Sequence, residues 1–223
     1  MFYGSWGLML LSIIISAFAQ LKVSSTYKKY AKVRSRKNMP ACEAARFILD
    51  YNSLGNVSIE QIHGSLTDHY DPRSKVLRLS ESVYHSASVA ALGIAAHEAG
   101  HALQDKEGYK PLRLRSALAP VANFGSRLSW LVIIIGLFSG YMGLIDLGIL
   151  LFCGVVVFQL VTLPVEFNAS SRALAALEGG GVLAVDEVAQ TKKVLSAAAL
   201  TYVAAVLVSL LQLARLLLMR NRR

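Results

Sequence analysis

Four stretches of this 223-residue chain are too long and too apolar to share the core of one small soluble domain. Phe2–Leu21 carries no charge and has the length of a bilayer-crossing helix, about 20 residues. Leu128–Leu163 holds a single charged residue, Asp146, and its 36 residues suffice for two short spans joined near Gly140–Gly143. Val194–Met219, apolar apart from Gln212 and Arg215, makes a fourth. With 54% hydrophobic residues overall, the sequence reads as an integral membrane protein. Ala17-Phe18-Ala19 resembles a signal-peptide cleavage site, yet no Lys or Arg precedes the apolar stretch and a basic run follows it. The first segment is therefore expected to be an uncleaved anchor.

The net charge of +9 has a location that argues against nucleic acid as a partner. Lys22, Lys28, Lys29, Lys32, Arg34, Arg36 and Lys37 form an acid-free run directly after the first span. Such a run marks the cytoplasmic face and suits anionic lipid headgroups. The expected topology places the N-terminus outside, the polar segment after the first span in the cytoplasm, and the hairpin turn GYMGLID, free of Lys and Arg, outside. Arg220, Arg222 and Arg223 conflict with this scheme if the last helix crosses fully. Cys42 and Cys153 lie in a polar and an apolar segment respectively, so no disulfide is expected between them.

The polar segment, about Lys22–Pro120, is long enough for one small domain. Pro40–Tyr51 reads as a helix with Ala44, Phe47 and Ile48 on one face, and Val57–Ile62 as a short helix or strand. Asp71-Pro72-Arg73-Ser74 is a turn, after which Lys75–Ser80 alternates as a half-buried strand does. Ser86–Gln104 is a helix that Ser86 or Ser88 could cap. Its apolar run, Val89–Ala96, is too short to cross a membrane.

That helix carries His97-Glu98-Ala99-Gly100-His101, an H-E-x-x-H pattern. Histidines four apart share one helix face and can converge on one zinc ion, while the glutamate beside the first can act as a general base toward water. A catalytic zinc needs a third protein ligand. Glu166, in LPVEFNASSRAL, stands where the apolar hairpin returns the chain to the face bearing HEAGH, and Pro164 could open a helix there. The competing reading is an interfacial glutamate that only marks the membrane boundary. Asp105 and His69 are weaker ligand candidates, and His63 and His85 read as structural.

HEAGH, the hydrophobic hairpin and EFNAS, together with GSLTDHYDPRSKVLRLSESVY and GYKPLRLRSALAPVANFGS, resemble the YugP-like family of membrane-bound zinc metallopeptidases over most of the chain. More distantly the layout is similar to the HtpX-type and CAAX-prenyl-type membrane proteases, which are gluzincins. The resemblance implies one Zn2+ per chain held by His97, His101 and Glu166, with Glu98 as the catalytic base. Ser170 departs from the E-x-x-x-D of the distant relatives and leaves the partner that orients a zinc-bound imidazole open between Asp105 and Asn168.

The expected fold is a mainly α membrane protein, about four transmembrane helices plus a small α+β zincin-like domain carrying the HEAGH helix. Along the chain this gives an anchor (1–21), a zinc-peptidase domain (22–120), a transmembrane hairpin (121–163), a third-ligand helix and loop (164–193), and a C-terminal membrane helix with a basic tail (194–223). The expected activity is a membrane-embedded zinc metalloendopeptidase acting on membrane proteins or membrane-associated peptides. His69, Tyr70 and Arg172 are candidates to stabilise the oxyanion. Val76–Ser80 is either an edge strand that pairs with substrate or an inner strand that supports the domain. Two other readings remain at this level: a site-2-type intramembrane protease, and a non-catalytic membrane scaffold in which HEAGH binds metal structurally.

Overall fold

The computed structural model describes residues 3–221, so Phe2, Arg222 and Arg223 lie outside the described residues. The chain is mainly α-helical and divides into two compact units. One comprises Met1–Gln20, Arg113–Pro164 and Leu200–Arg223; the other comprises Leu21–Leu112 and Val165–Ala199. Among the described residues, four helices are long and apolar enough to cross a membrane: α1 (Tyr3–Tyr30), α5 (Lys110–Ser139), α6 (Met142–Gly179) and α7 (Val185–Arg220).

In the first unit the α5–α6 hairpin and the end of α7 share a core of Ile133, Ile145, Ile149, Phe152, Val156 and Leu216. Gly148 lets the two hairpin helices approach closely. A Cβ there would lie 2.3 Å from Ile133 Cγ1 and 2.9 Å from the Ser129 carbonyl oxygen. The isoleucine can rotate away but the carbonyl cannot. Gly148→Leu is therefore expected to lower the thermal midpoint in detergent by several degrees, the result of about 1–3 kcal/mol of overpacking.

The last helix ends beside the hairpin turn, because Arg220 Nε and Nη2 donate to the two Asp146 carboxylate oxygens at 2.9 and 3.3 Å. The conflict seen in the sequence thus has a local answer. α7 continues unbroken to Arg220, and this arginine is paired by the one acid of the apolar hairpin.

The second unit is built on a helix that is apolar nearly all round. α4 (Val89–Lys106) buries Val89 to Gly93, Ala95, Ala96 and most of its later residues. Such a helix is enclosed on every side rather than laid on a surface. Ser88 caps it, its Oγ accepting from Ala91 N–H at 3.2 Å. α2 (Ala41–Tyr51) packs against α4 through Ala41, Ala44, Ala45, Ile48 and Leu49. Phe47, expected on the buried face, sits at its rim 39% exposed and stacks on Tyr51. The buried stripe follows the small alanines instead.

A three-stranded sheet completes this unit, in the order β1 (Ser58–Ile62), β3 (Val76–Ser80), β2 (His69–Asp71). β1 runs parallel to β3, with Ser58 opposite Val76, and β2 runs antiparallel to it, with Tyr70 opposite Leu77. Of the segment 57–62, ambiguous in sequence, Ser58–Ile62 is thus a strand. β3 lies in the middle of the sheet and is not an edge. Its alternation does not make it half-buried either, since four of its five residues are buried and only Arg78 is partly exposed. A short helix, α3 (Glu81–Tyr84), links it to α4. Pro164 does not open a new helix: α6 runs unbroken through it to Gly179. Proline inside a helix removes one backbone donor, and a long apolar helix can absorb that loss.

Candidate metal centre

α4 offers two imidazoles four residues apart, with ring centroids 4.8 Å apart and the planes nearly perpendicular. The 165–179 stretch of α6 packs against this face at its closest possible approach. A Cβ on Gly100 would lie 2.6 Å from the Ala169 carbonyl oxygen and 3.3 Å from its Cα. Only glycine at the fourth position of HEAGH permits that contact. It brings Glu166, one turn before Ala169, onto the histidine pair.

Glu166 is 2% exposed, and its Oε2 lies 3.1 Å from His97 Nε2 and 3.7 Å from His101 Nε2. One ligand atom from each of the three residues falls within 4.8 Å of the others. In a tetrahedral zinc site with bonds near 2.0–2.2 Å, neighbouring donors sit about 3.3 Å apart. The two measured separations bracket that spacing. Two neutral imidazoles with one carboxylate are also a donor set suited to zinc, so the residues fit the ion.

The far nitrogens of the rings are held too. His97 Nδ1 lies 3.1 Å from Ser170 Oγ, and His101 Nδ1 lies 3.0 Å from Gln104 Oε1. Ser170, whose presence put the orienting partner in question, is itself the group that touches His97. Of the two candidates raised in its place, neither contacts an imidazole among the described residues. Asp105 accepts from the Tyr70 hydroxyl at 2.7 Å and pairs with Lys75. Asn168 Oδ1 accepts from Gln104 Nε2 at 2.9 Å and from Arg172 Nε at 2.7 Å. Gln104 was not visible as a site residue in the sequence reading. The signal for it was its place three residues past His101, on the same helix face.

Glu98 is buried, and its Oε2 accepts the Tyr70 backbone N–H at 3.0 Å. Burial pushes its carboxyl above the ordinary carboxylate range, against the opposing pull of His97. Because Tyr70 N–H points to Glu98 and not to β3, the outer edge of β2 is the sheet edge turned toward the motif. The three oxyanion candidates differ in what their donors already do. Tyr70 is committed to Asp105, and burial followed by that hydrogen bond pushes its hydroxyl pKa well up. Arg172 forks onto Glu107 at 2.6 and 2.7 Å. His69 is exposed on β2, its Nδ1 2.9 Å from the Thr67 carbonyl oxygen. His63 pairs with Glu81 at 2.6 Å, and His85 packs edge-on against Tyr84.

Comparison with known proteins bears on this geometry. A family model described as "Putative neutral zinc metallopeptidase" matches residues 5–221. A curated relative, "Putative membrane protease YugP" of Bacillus subtilis (strain 168), is 51% identical over 201 residues, covering 90% of this chain and 89% of the relative. No solved structure matches the chain.

Proposed function

The chain belongs to this family of membrane zinc metallopeptidases, and from that premise we propose that it is an endopeptidase using one zinc ion held by His97, His101 and Glu166, with Glu98 as general base. The observation that carries the reading is the convergence of three donor atoms from two helices, with His97 and Glu166 69 positions apart in the chain. When bound there, zinc would supply a Lewis acid that polarises a peptide carbonyl and brings the pKa of water toward neutrality.

The protein's own groups do the rest. Glu98 accepts a proton from the attacking water on a carboxylate oxygen, as the C–O bond forms at the scissile carbonyl. It then returns that proton to the departing amine as the C–N bond breaks. Its burial favours this, since a carboxylate made more basic by desolvation is a better proton acceptor. An extended substrate would lie along the outer edge of β2, where main-chain pairing fixes the peptide without reading its side chains.

The substrates proposed are membrane proteins or membrane-associated peptides, because Glu166 lies only three residues past the hairpin segment 121–163. The metal site is then shared between the segments 22–120 and 164–193. The basic run from Lys22 to Lys37 supports a cytoplasmic site for this domain, against anionic headgroups. A site-2-type arrangement is disfavoured, because α4 is not among the described helices long and apolar enough to cross a membrane.

The test is metal stoichiometry. Purified wild-type protein is expected to hold about one zinc per chain. Glu166→Ala should hold markedly less, since only two imidazoles remain. Unchanged zinc in that variant would remove Glu166 from the metal and with it the proposed site.

A further inference from the structure

We propose that Gln104 is a positioning residue that fixes His101 in the tautomer with its proton on Nδ1, leaving the Nε2 lone pair free for the metal. This rests on the metal site proposed above. Gln104 is fully buried on α4, at 0% exposure, and every polar atom of its amide is used. Nε2 donates to the Val165 carbonyl oxygen at 2.8 Å and to Asn168 Oδ1 at 2.9 Å, while Oε1 lies 3.0 Å from His101 Nδ1.

The direction of each bond follows from chemistry that allows no exchange. A guanidinium only donates, so Arg172 Nε, 2.7 Å from the Asn168 side chain, requires the asparagine oxygen to face it. Arg172 is itself held in place by its two-pronged contact with Glu107. The carbonyl of Val165 only accepts. Two acceptors on one end of the Gln104 amide therefore require its nitrogen there, which turns its oxygen to the imidazole. An amide oxygen only accepts, so His101 Nδ1 must carry the proton. Its Nε2 then presents a lone pair on the side of Glu166, whose Oε2 is 3.7 Å away.

The two ligand histidines are unequal in this respect. His97 Nδ1 faces the Ser170 hydroxyl, which can donate or accept and so dictates nothing. Gln104 also bonds the residue immediately before Glu166, so one side chain ties the second ligand on α4 to the third on α6. Metal binding to a histidine already in the required tautomer needs no proton rearrangement.

The test uses full-length protein in detergent with Gln104→Met and Gln104→Glu, reading zinc dissociation constants by chelator competition. Gln104→Met keeps the volume but removes the acceptor, and is expected to weaken zinc binding about 10–100-fold. Gln104→Glu keeps an oxygen facing His101 and should recover most of that loss, although it loses the same two donor bonds. Wild-type affinity in Gln104→Met, or equal weakness in both variants, would overturn the proposal. A second measurement needs no variant: nitrogen-15 NMR of the metal-free wild type, above neutral pH, should show the His101 proton on Nδ1. A bare Nδ1 there would also overturn it. A wild-type chain that binds no zinc would instead sink the metal site, while the NMR result still decides what Gln104 does.

Discussion

Glu98→Gln is expected to lower peptide hydrolysis by about 10²–10⁴-fold while zinc content stays at the wild-type level. That loss corresponds to roughly 2.7–5.4 kcal/mol of transition-state stabilisation. The substitution leaves most of the site intact. Glutamine has nearly the shape of glutamate, and its amide oxygen can still accept the Tyr70 N–H now bonded to Oε2. A neutral amide in this buried place also escapes the desolvation that raises the Glu98 carboxyl, so the fold should not suffer. What disappears is the ability to take a proton. Comparison of protein termini in membranes carrying wild-type and Glu98→Gln chains would read both activity and substrates. Termini produced equally by the two would show that Glu98 is not the base.

What could be read in the sequence was what is local or periodic. The apolar stretches, the HEAGH helix, its Ser88 cap and the helix 41–51 each repeat a short-range pattern. Glu166 could be singled out because a hairpin of fixed length returns the chain to a defined face. The groups behind the imidazoles were a different matter. Ser170 depends on how α6 lies across α4, and Gln104 on which acceptors surround it after folding; neither has a pattern of its own. Strand order was left open for the same reason. Val76–Ser80 alternates like a half-buried strand at an edge or inside a sheet, and only the parallel pairing of β1 on one side and the antiparallel pairing of β2 on the other put it in the middle. The end of α7 was a question of charge in the sequence and is one of pairing in the fold, since Asp146 lies 74 residues from Arg220.

Gly100→Ala is the second large effect, and its sign separates two physical accounts of the motif. In an open helix this change would stabilise the chain by up to about 1 kcal/mol, because alanine is the better helix former. Here the added methyl would meet the Ala169 carbonyl oxygen at 2.6 Å and the carbonyl carbon at 3.2 Å. Both are backbone atoms, so no rotamer change can make room. Relief requires the 165–179 stretch to move away from α4, carrying Glu166 off the histidines. The expected result is a loss of about 1–3 kcal/mol in stability together with zinc content well below wild type. Gly154→Ala is the internal comparison. It lies within α6, where nothing approaches its added methyl within 4 Å, so it should be neutral or slightly stabilising. Thermal melts of metal-free protein and zinc titrations on both variants give the answer. If Gly100→Ala melts and binds zinc like wild type, helix contact at this glycine does not set the site. If both quantities fall while Gly154→Ala is unaffected, the fourth residue of HEAGH is as necessary to the metal centre as the histidines, through the distance it allows between two helices.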